Sequence, residues 1–285
     1  MNTRRDFFGW TRNLLAAGGL AGQAIAAPAG TAKQAREAGE DYYDKLGVTK
    51  IINAAGTYTI LTASTMPPSV RAAVDRAARY PVRLLELQKA AGEYLARRLQ
   101  CDGAMVTAGA ASALNLGTAA CMTVANGKQT VDAMPTEVAS LKNEVVVQKA
   151  HRYEYDHAMR NCGIRIVEVE TPSEYEKAFT ERTVMTNFFN AAEGGQIGRE
   201  EWIRVAHAHS VPCFNDAAAD VPPISNLWNY TKMGFDLVAF SGGKGMRGPQ
   251  NAGLLLGRKD LIEAANRNNN PFGDTVGRGM KVAKE

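Results

Sequence analysis

An α/β fold, with a mainly parallel sheet covered by helices on both faces, is what this sequence predicts, and three observations predict it. Seven short apolar runs of strand length recur between residues 104 and 256. Most are separated by stretches with helical spacing, the alternation that builds such a sheet. Length and composition agree, since 285 residues with 45% hydrophobic and 22% charged side chains are ordinary for a globular protein. They exclude disorder, collagen-like repeats and coiled coil.

The chain opens on Thr3-Arg4-Arg5-Asp6-Phe7-Phe8, followed by an apolar, Gly- and Ala-rich stretch over residues 14–27 that ends in Ala24-Ile25-Ala26. This pattern predicts a twin-arginine export leader over residues 1–26 and a periplasmic or otherwise exported protein. The stretch is too short and glycine-rich to span a bilayer comfortably, and no later segment approaches the ~20 apolar residues that spanning needs. Cleavage after Ala26 would remove Arg4, Arg5 and Arg12 together with one acid, Asp6, and so lower the net charge from +4 to +2. That is not the basic footprint nucleic-acid binding requires.

Residues 27–45 read as a polar linker or arm, and the folded large domain is expected over 46–265. Residues 69–100 have helical spacing broken near Pro81, with Leu84, Gln88, Ala91, Leu95 and Leu99 on one stripe. The expected strands are 104–107, 145–148, 164–169, 184–189, 211–215, 237–240 and 253–256, and helical spacing returns at 113–122, 200–209 and 227–233. Residues 266–285 read as the start of a truncated C-terminal domain, with Gly279 onward as a helix cut short. The four cysteines, Cys101, Cys121, Cys162 and Cys213, lack CxxC spacing and sit in apolar stretches, which favours buried thiols. Four histidines with no paired Cys/His spacing give no metal signature, and His207 and His209 cannot share a helix face.

Three strand ends carry residues suited to chemistry. Gly109-Ala110-Ala111-Ser112 opens a helix after the first strand, where free N–H groups and the helix dipole favour an anion. Asp216 closes a strand and is followed by Ala217-Ala218-Ala219-Asp220. Leu237 to Phe240 runs into Ser241-Gly242-Gly243-Lys244-Gly245, a glycine-rich turn with one lysine that lacks the P-loop spacing. Each alone has an ordinary reading, as a plain helix start, a turn-ordering aspartate or a solvated lysine. Their order is what a pyridoxal phosphate site needs: a phosphate cradle, a partner for the pyridine nitrogen, then a lysine of lowered pKa to bond the aldehyde carbon.

Residues from about Tyr43 onward resemble the large domain of fold-type-I pyridoxal phosphate enzymes, in the group of selenocysteine synthase and D-glucosaminate-6-phosphate ammonia-lyase. The resemblance lies in Ile51-Ile52-Asn53-Ala54-Ala55-Gly56-Thr57, in Val106 to Ala113, in the run from Val211 through Pro223, and above all in Ser241 to Gln250, whose lysine is followed by Gly248-Pro249-Gln250. It implies pyridoxal 5'-phosphate as cofactor, Lys244 as the Schiff-base lysine that also shuttles the proton, and Asp216 as the pyridinium partner. Ala218 would pack under the ring, Ala110, Ala111 and Ser112 would bind phosphate with Ser241 as a further ligand, and His151 would stack on the ring. Arg152 and Arg278 are the candidates for a substrate carboxylate or phosphate. The reaction so implied is α,β-elimination on a small-molecule amine substrate, an amino acid or amino-sugar acid, giving a keto acid and ammonia. Selenium transfer to seryl-tRNA, aminotransferase-like activity and a non-catalytic relic that still binds cofactor are the alternatives. A homodimer or larger homo-oligomer is expected from the same resemblance.

Overall fold

The computed structural model describes residues 40–190 and 195–285, so the twin-arginine segment and most of the arm lie outside the described residues. The described residues fall into two units, 40–51 and 52–285. In the first, a single helical turn, Tyr42–Lys45, starts on Asp41, whose Oδ1 accepts from Tyr43 N at 3.0 Å.

The second unit is built on seven strands: β1 (Gly103–Thr107), β2 (Glu144–Gln148), β3 (Arg165–Val169), β4 (Thr183–Phe189), β5 (Cys213–Asp216), β6 (Leu237–Ser241) and β7 (Gly253–Gly257). They form one sheet in the order β1-β7-β6-β5-β4-β2-β3, and β7 runs antiparallel to both of its neighbours while the other pairs are parallel. The sheet is therefore mainly parallel, as expected. Its longer helices are α1 (Pro68–Ala78), α2 (Leu84–Leu99), α3 (Ala110–Asn126), α4 (Arg199–Ala208), α5 (Asn226–Met233) and α6 (Lys259–Arg267).

Two apolar layers flank the sheet. One packs α3 and α6 against Val145, Val147, Met185, Phe214, Leu237 and Leu255, and the other packs α4, α5 and the end of α2 against Val146, Phe188, Cys213, Val238 and Leu256. Alternate residues of each strand feed opposite layers. Helix α3 is buried continuously from Ser112 to Thr123, which explains why its sequence is apolar and small all round rather than amphipathic. A Cβ on Gly117 would lie 2.4 Å from Phe214 Cε1, and Phe214 is fully buried with no room to retreat. Gly117→Ala is thus expected to cost about 1–3 kcal/mol, seen as a lowered Tm with the fold's circular dichroism retained.

Two local expectations change. The helix broken at Pro81 is found as α1 and α2, yet Leu84 at the start of the predicted stripe is 43% exposed, and burial begins one turn later. The segment after Gly279 is not a helix. It is held in irregular form by side chains, with Asn270 Nδ2 donating to Met280 O at 3.3 Å and Lys284 Nζ to Ala77 O at 2.8 Å. Cys121, Cys162 and Cys213 are buried free thiols, and Cys101 is half-buried and free. Among the described residues no helix is long and apolar enough to cross a membrane.

Candidate active site

The parallel strands β4, β5 and β6 end at the same edge of the sheet, the edge at which α/β folds bind ligands. Helix α3 begins there, after β1. Its N-cap, Gly109, takes φ +90 and supplies no capping side chain, and the first helical bond is Ala113 N to Gly109 O at 3.1 Å. The N–H groups at Ala110, Ala111 and Ser112 precede that bond and are left for an anion. The Ser112 hydroxyl donates to Ala108 O at 2.9 Å, which orients the side chain at the mouth of the cradle.

Asp216 ends β5. It lies two residues beyond Phe214 and so projects to the α3 face, the same side as the cradle. Its side chain is almost wholly buried, and Oδ1 accepts from Ala218 N at 3.0 Å. The aspartate therefore does order its turn, and half-buried Ala218 is placed by that bond. Burial pushes the Asp216 carboxyl up to about 7, against the lowering effect of the Ala218 N–H and of the nearby Lys244 charge; Asp220 adds to the rise. A carboxylate this desolvated, with no cation bonded to it, is matched to a cationic ring nitrogen.

Lys244 is half-buried in the connection between β6 and β7. That connection is closed by Gly242 N to Ala252 O at 2.7 Å and Gly248 N to Gly242 O at 2.8 Å. Glycines let the three functional loops touch. A Cβ on Gly245 would sit 1.8 Å from Val221 O, so the lysine loop lies directly on the chain beyond Asp216. A Cβ on Gly253 would sit 2.5 Å from the Gly109 carbonyl carbon, so the other end of the same connection abuts the cradle. Gly253 also pairs with both Thr107 and Ser241, which puts half-buried Ser241 in one row with the loop that starts α3.

The remaining sequence candidates are placed differently. His151 is buried, its ring edge-on to Phe188 at 4.5 Å, with Nδ1 accepting from Phe189 N at 3.3 Å. Burial first, and the Arg199 charge second, lower its pKa to about 4, so it is neutral at physiological pH. Phe188 pairs with Asn215, which faces away from Asp216, so the ring packs on the α4 side of the sheet edge. Arg152 is paired with Asp156 at 2.6 Å and with Glu168 on the edge strand β3, and these carboxylates hold its guanidinium away from β5. Arg278 is exposed on the segment after α6.

Other residues at this edge went unnoticed in the sequence. Tyr153 stacks on Phe189, the register partner of Asp216, with centroids 3.9 Å apart, and its Oη is buried with no partner. Behind Asp216, Arg199 Nε donates to Asn190 Oδ1 at 2.6 Å, and Asn190 Nδ2 donates to Asn215 Oδ1 at 2.7 Å. Asn187 in β4 buries both amide atoms without a partner. A polar residue inside an otherwise apolar strand was the available signal for Asn187 and Asn215.

A helix N-terminus, a buried aspartate and a loop lysine, gathered where parallel strands end, define the large domain of a fold-type-I pyridoxal phosphate protein. Residues 51–272 match the L-seryl-tRNA selenium transferase (SelA) family, and the chain belongs to that family. It is 30% identical over 255 residues to D-glucosaminate-6-phosphate ammonia lyase of Salmonella typhimurium, an alignment covering 85% of this chain and 66% of the relative. It is 32% identical over 257 residues to a 5'-C-glycyluridine monooxygenase-decarboxylase of a Streptomyces species, covering 85% and 62%. The solved structure of D-glucosaminate-6-phosphate ammonia-lyase superposes with a TM-score of 0.78 at 30% identity, over 86% of this chain and 67% of the other. The chain thus spans just under two thirds of the length of these two curated relatives, and about half or less of the selenium transferases it also matches. Pyridoxal phosphate is the cofactor that membership implies, and the residues fit it: an uncapped helix start for the phosphate, a buried carboxylate for the ring nitrogen, and a lysine whose charge is felt at that carboxylate.

Proposed function

We propose that this chain carries the cofactor-binding part of a lyase that eliminates across the α and β carbons of a small amino acid or amino-sugar acid, yielding ammonia and a keto acid. The observation that carries this reading is the 30% identity, over 85% of the chain, to an ammonia lyase. When bound, the cofactor supplies an electrophilic carbon and a ring that stores an electron pair. The protein supplies the rest. N–H groups at Ala110, Ala111 and Ser112 hold the phosphate, and Asp216, as its anion, keeps a proton on the ring nitrogen. Lys244 Nζ would hold the cofactor, and as a free amine would move the proton at the substrate α-carbon. Ala218 offers a small surface beside the ring.

Transfer to seryl-tRNA is the second reading, favoured by the family match. A net charge of +4 with no concentrated basic patch weighs against it. Export through the twin-arginine route belongs to the first reading, since that route carries chains already folded around a cofactor. Assembly as a homodimer or larger is part of it too, supported by the apolar side chains of Ile52, Ile60 and Leu85 that the fold leaves exposed.

The decisive assay incubates the cofactor-loaded protein with D-glucosaminate 6-phosphate and a panel of amino acids, and measures ammonia and keto acid. Stoichiometric release of both with at least one substrate is expected. A protein that binds cofactor and releases neither, yet binds tRNA in a salt-dependent manner, would replace this reading with the second.

A further inference from the structure

The motif around Asn53 is absorbed by none of the roles above. Asn53 Nδ2 donates to the carbonyl oxygens of Gly56 at 2.8 Å, Ala63 at 3.1 Å and Leu61 at 3.4 Å, while its Oδ1 accepts from Ala55 N at 3.1 Å and Gly56 N at 3.3 Å. One side chain therefore ties both limbs of the loop 53–63. At the end of that loop Thr62 and Ala63 both take left-handed backbone angles, with φ of +59 and +55. Residues with a Cβ resist this conformation, and consecutive examples persist only where the surroundings impose them.

The strained pair leads directly into Ser64, which reaches the lysine loop. Its hydroxyl donates to the carbonyl oxygens of Gly243 at 2.7 Å and Lys244 at 2.9 Å. Beside it, Arg247 Nε donates to Thr65 O at 3.1 Å and Gln250 Nε2 to Thr59 O at 3.2 Å. Arg247 itself is left-handed, with φ of +56. Strained residues thus flank the contact on both chain segments.

We propose that residues 53–65 form a strap that fixes the backbone of Lys244, with Asn53 setting the strap's shape and Ser64 serving as the positioning residue. A lysine amine sits at the end of a long flexible stem, and the volume it sweeps is set by how firmly its own Cα is held. Ser64 touches neither cofactor nor substrate in this role. It acts on the lysine's carbonyl, and so on the direction in which the stem leaves the loop. The inference rests on Lys244 being the cofactor-bearing lysine.

The test uses the full chain with Ser64→Ala, Ser64→Thr and Asn53→Ala. In cofactor-free protein, amides 242–248 of Ser64→Ala should exchange with solvent roughly fivefold faster, the loss of about one hydrogen bond, while the β6 amides stay at the wild-type rate. Asn53→Ala should reproduce this, and Ser64→Thr, which keeps the hydroxyl, should restore it. In loaded protein, the pH midpoint of the visible band given by the lysine–cofactor bond should move by roughly half a unit in Ser64→Ala and return in Ser64→Thr. Unchanged loop exchange in Ser64→Ala, or loosening spread over the whole sheet, overturns the strap. Faster exchange with an unmoved midpoint overturns the positioning role. A visible band that survives in Lys244→Ala overturns the lysine assignment instead, and the exchange result then decides by itself whether the strap holds the loop.

Discussion

Lys244→Ala is expected to abolish the visible band of the lysine–cofactor bond and to lower turnover by on the order of 10³-fold or more, since in the proposed reading one amine both holds the cofactor and moves the substrate proton. Lys244→Arg sharpens the expectation. It keeps the positive charge that Asp216 feels, yet supplies no nucleophilic amine. Loss of the band in Lys244→Arg as well as in Lys244→Ala, with cofactor still retained by gel filtration, shows that the band requires the amine and not merely its charge. A band of wild-type intensity in either variant would be incompatible with the site described above.

Asp216→Asn has the second large effect, and its direction depends on whether cofactor is present. In the cofactor-free chain burial raises the folded-state carboxyl to about 7, from 3.8 in the unfolded chain. Between those values the folded state binds the extra proton, so stability is full below pH ~4, falls as pH rises to ~7, and stays low above it. An amide has no such titration. The empty variant should therefore be more stable than wild type at pH 8, by at most roughly 4 kcal/mol, and should lose that advantage below pH ~4. Adding cofactor reverses the order, because the carboxylate then has its cationic partner and the amide does not. Thermal melts of both proteins from pH 4 to 8, with and without pyridoxal phosphate, read this directly. A wild-type Tm flat across that range in the empty protein would show that Asp216 is solvated.

All seven strands were legible in the sequence to within two residues: six are largely buried and show as apolar runs, and the edge strand β3, exposed at Arg165 and Glu168, still carries Ile166, Val167 and Val169. Strand direction was less legible. Periodicity reports burial and not polarity of the chain, so the reversal of β7 could be inferred only from the helix-free connection over residues 242–252, too short to return a parallel strand. At the site, glycine and lysine chemistry marked the cradle, Asp216 and Lys244. The strap over 53–65 was marked only in part: the stretch from Ile51 to Thr57 carried the family resemblance, but its role did not show, because single side chains bonded to backbone carbonyls impose no period on the sequence. Arg152 could not be placed from sequence alone: it is adjacent in the chain to the site, and the fold pairs it with Asp156 and Glu168.

The reversal of β7 has a bearing on how such enzymes diversify. Because β6 and β7 are antiparallel neighbours, the lysine rides a hairpin whose base is stitched shut at Gly242 and Ala252. The connections that leave β2 and β4 join parallel strands, so no antiparallel ladder closes their bases. In the proposed reading, chemistry can thus be varied in the crossovers while Lys244 keeps a fixed address. Engineering of substrate choice belongs in those open loops, and insertions into the hairpin should be the least tolerated of any at this edge.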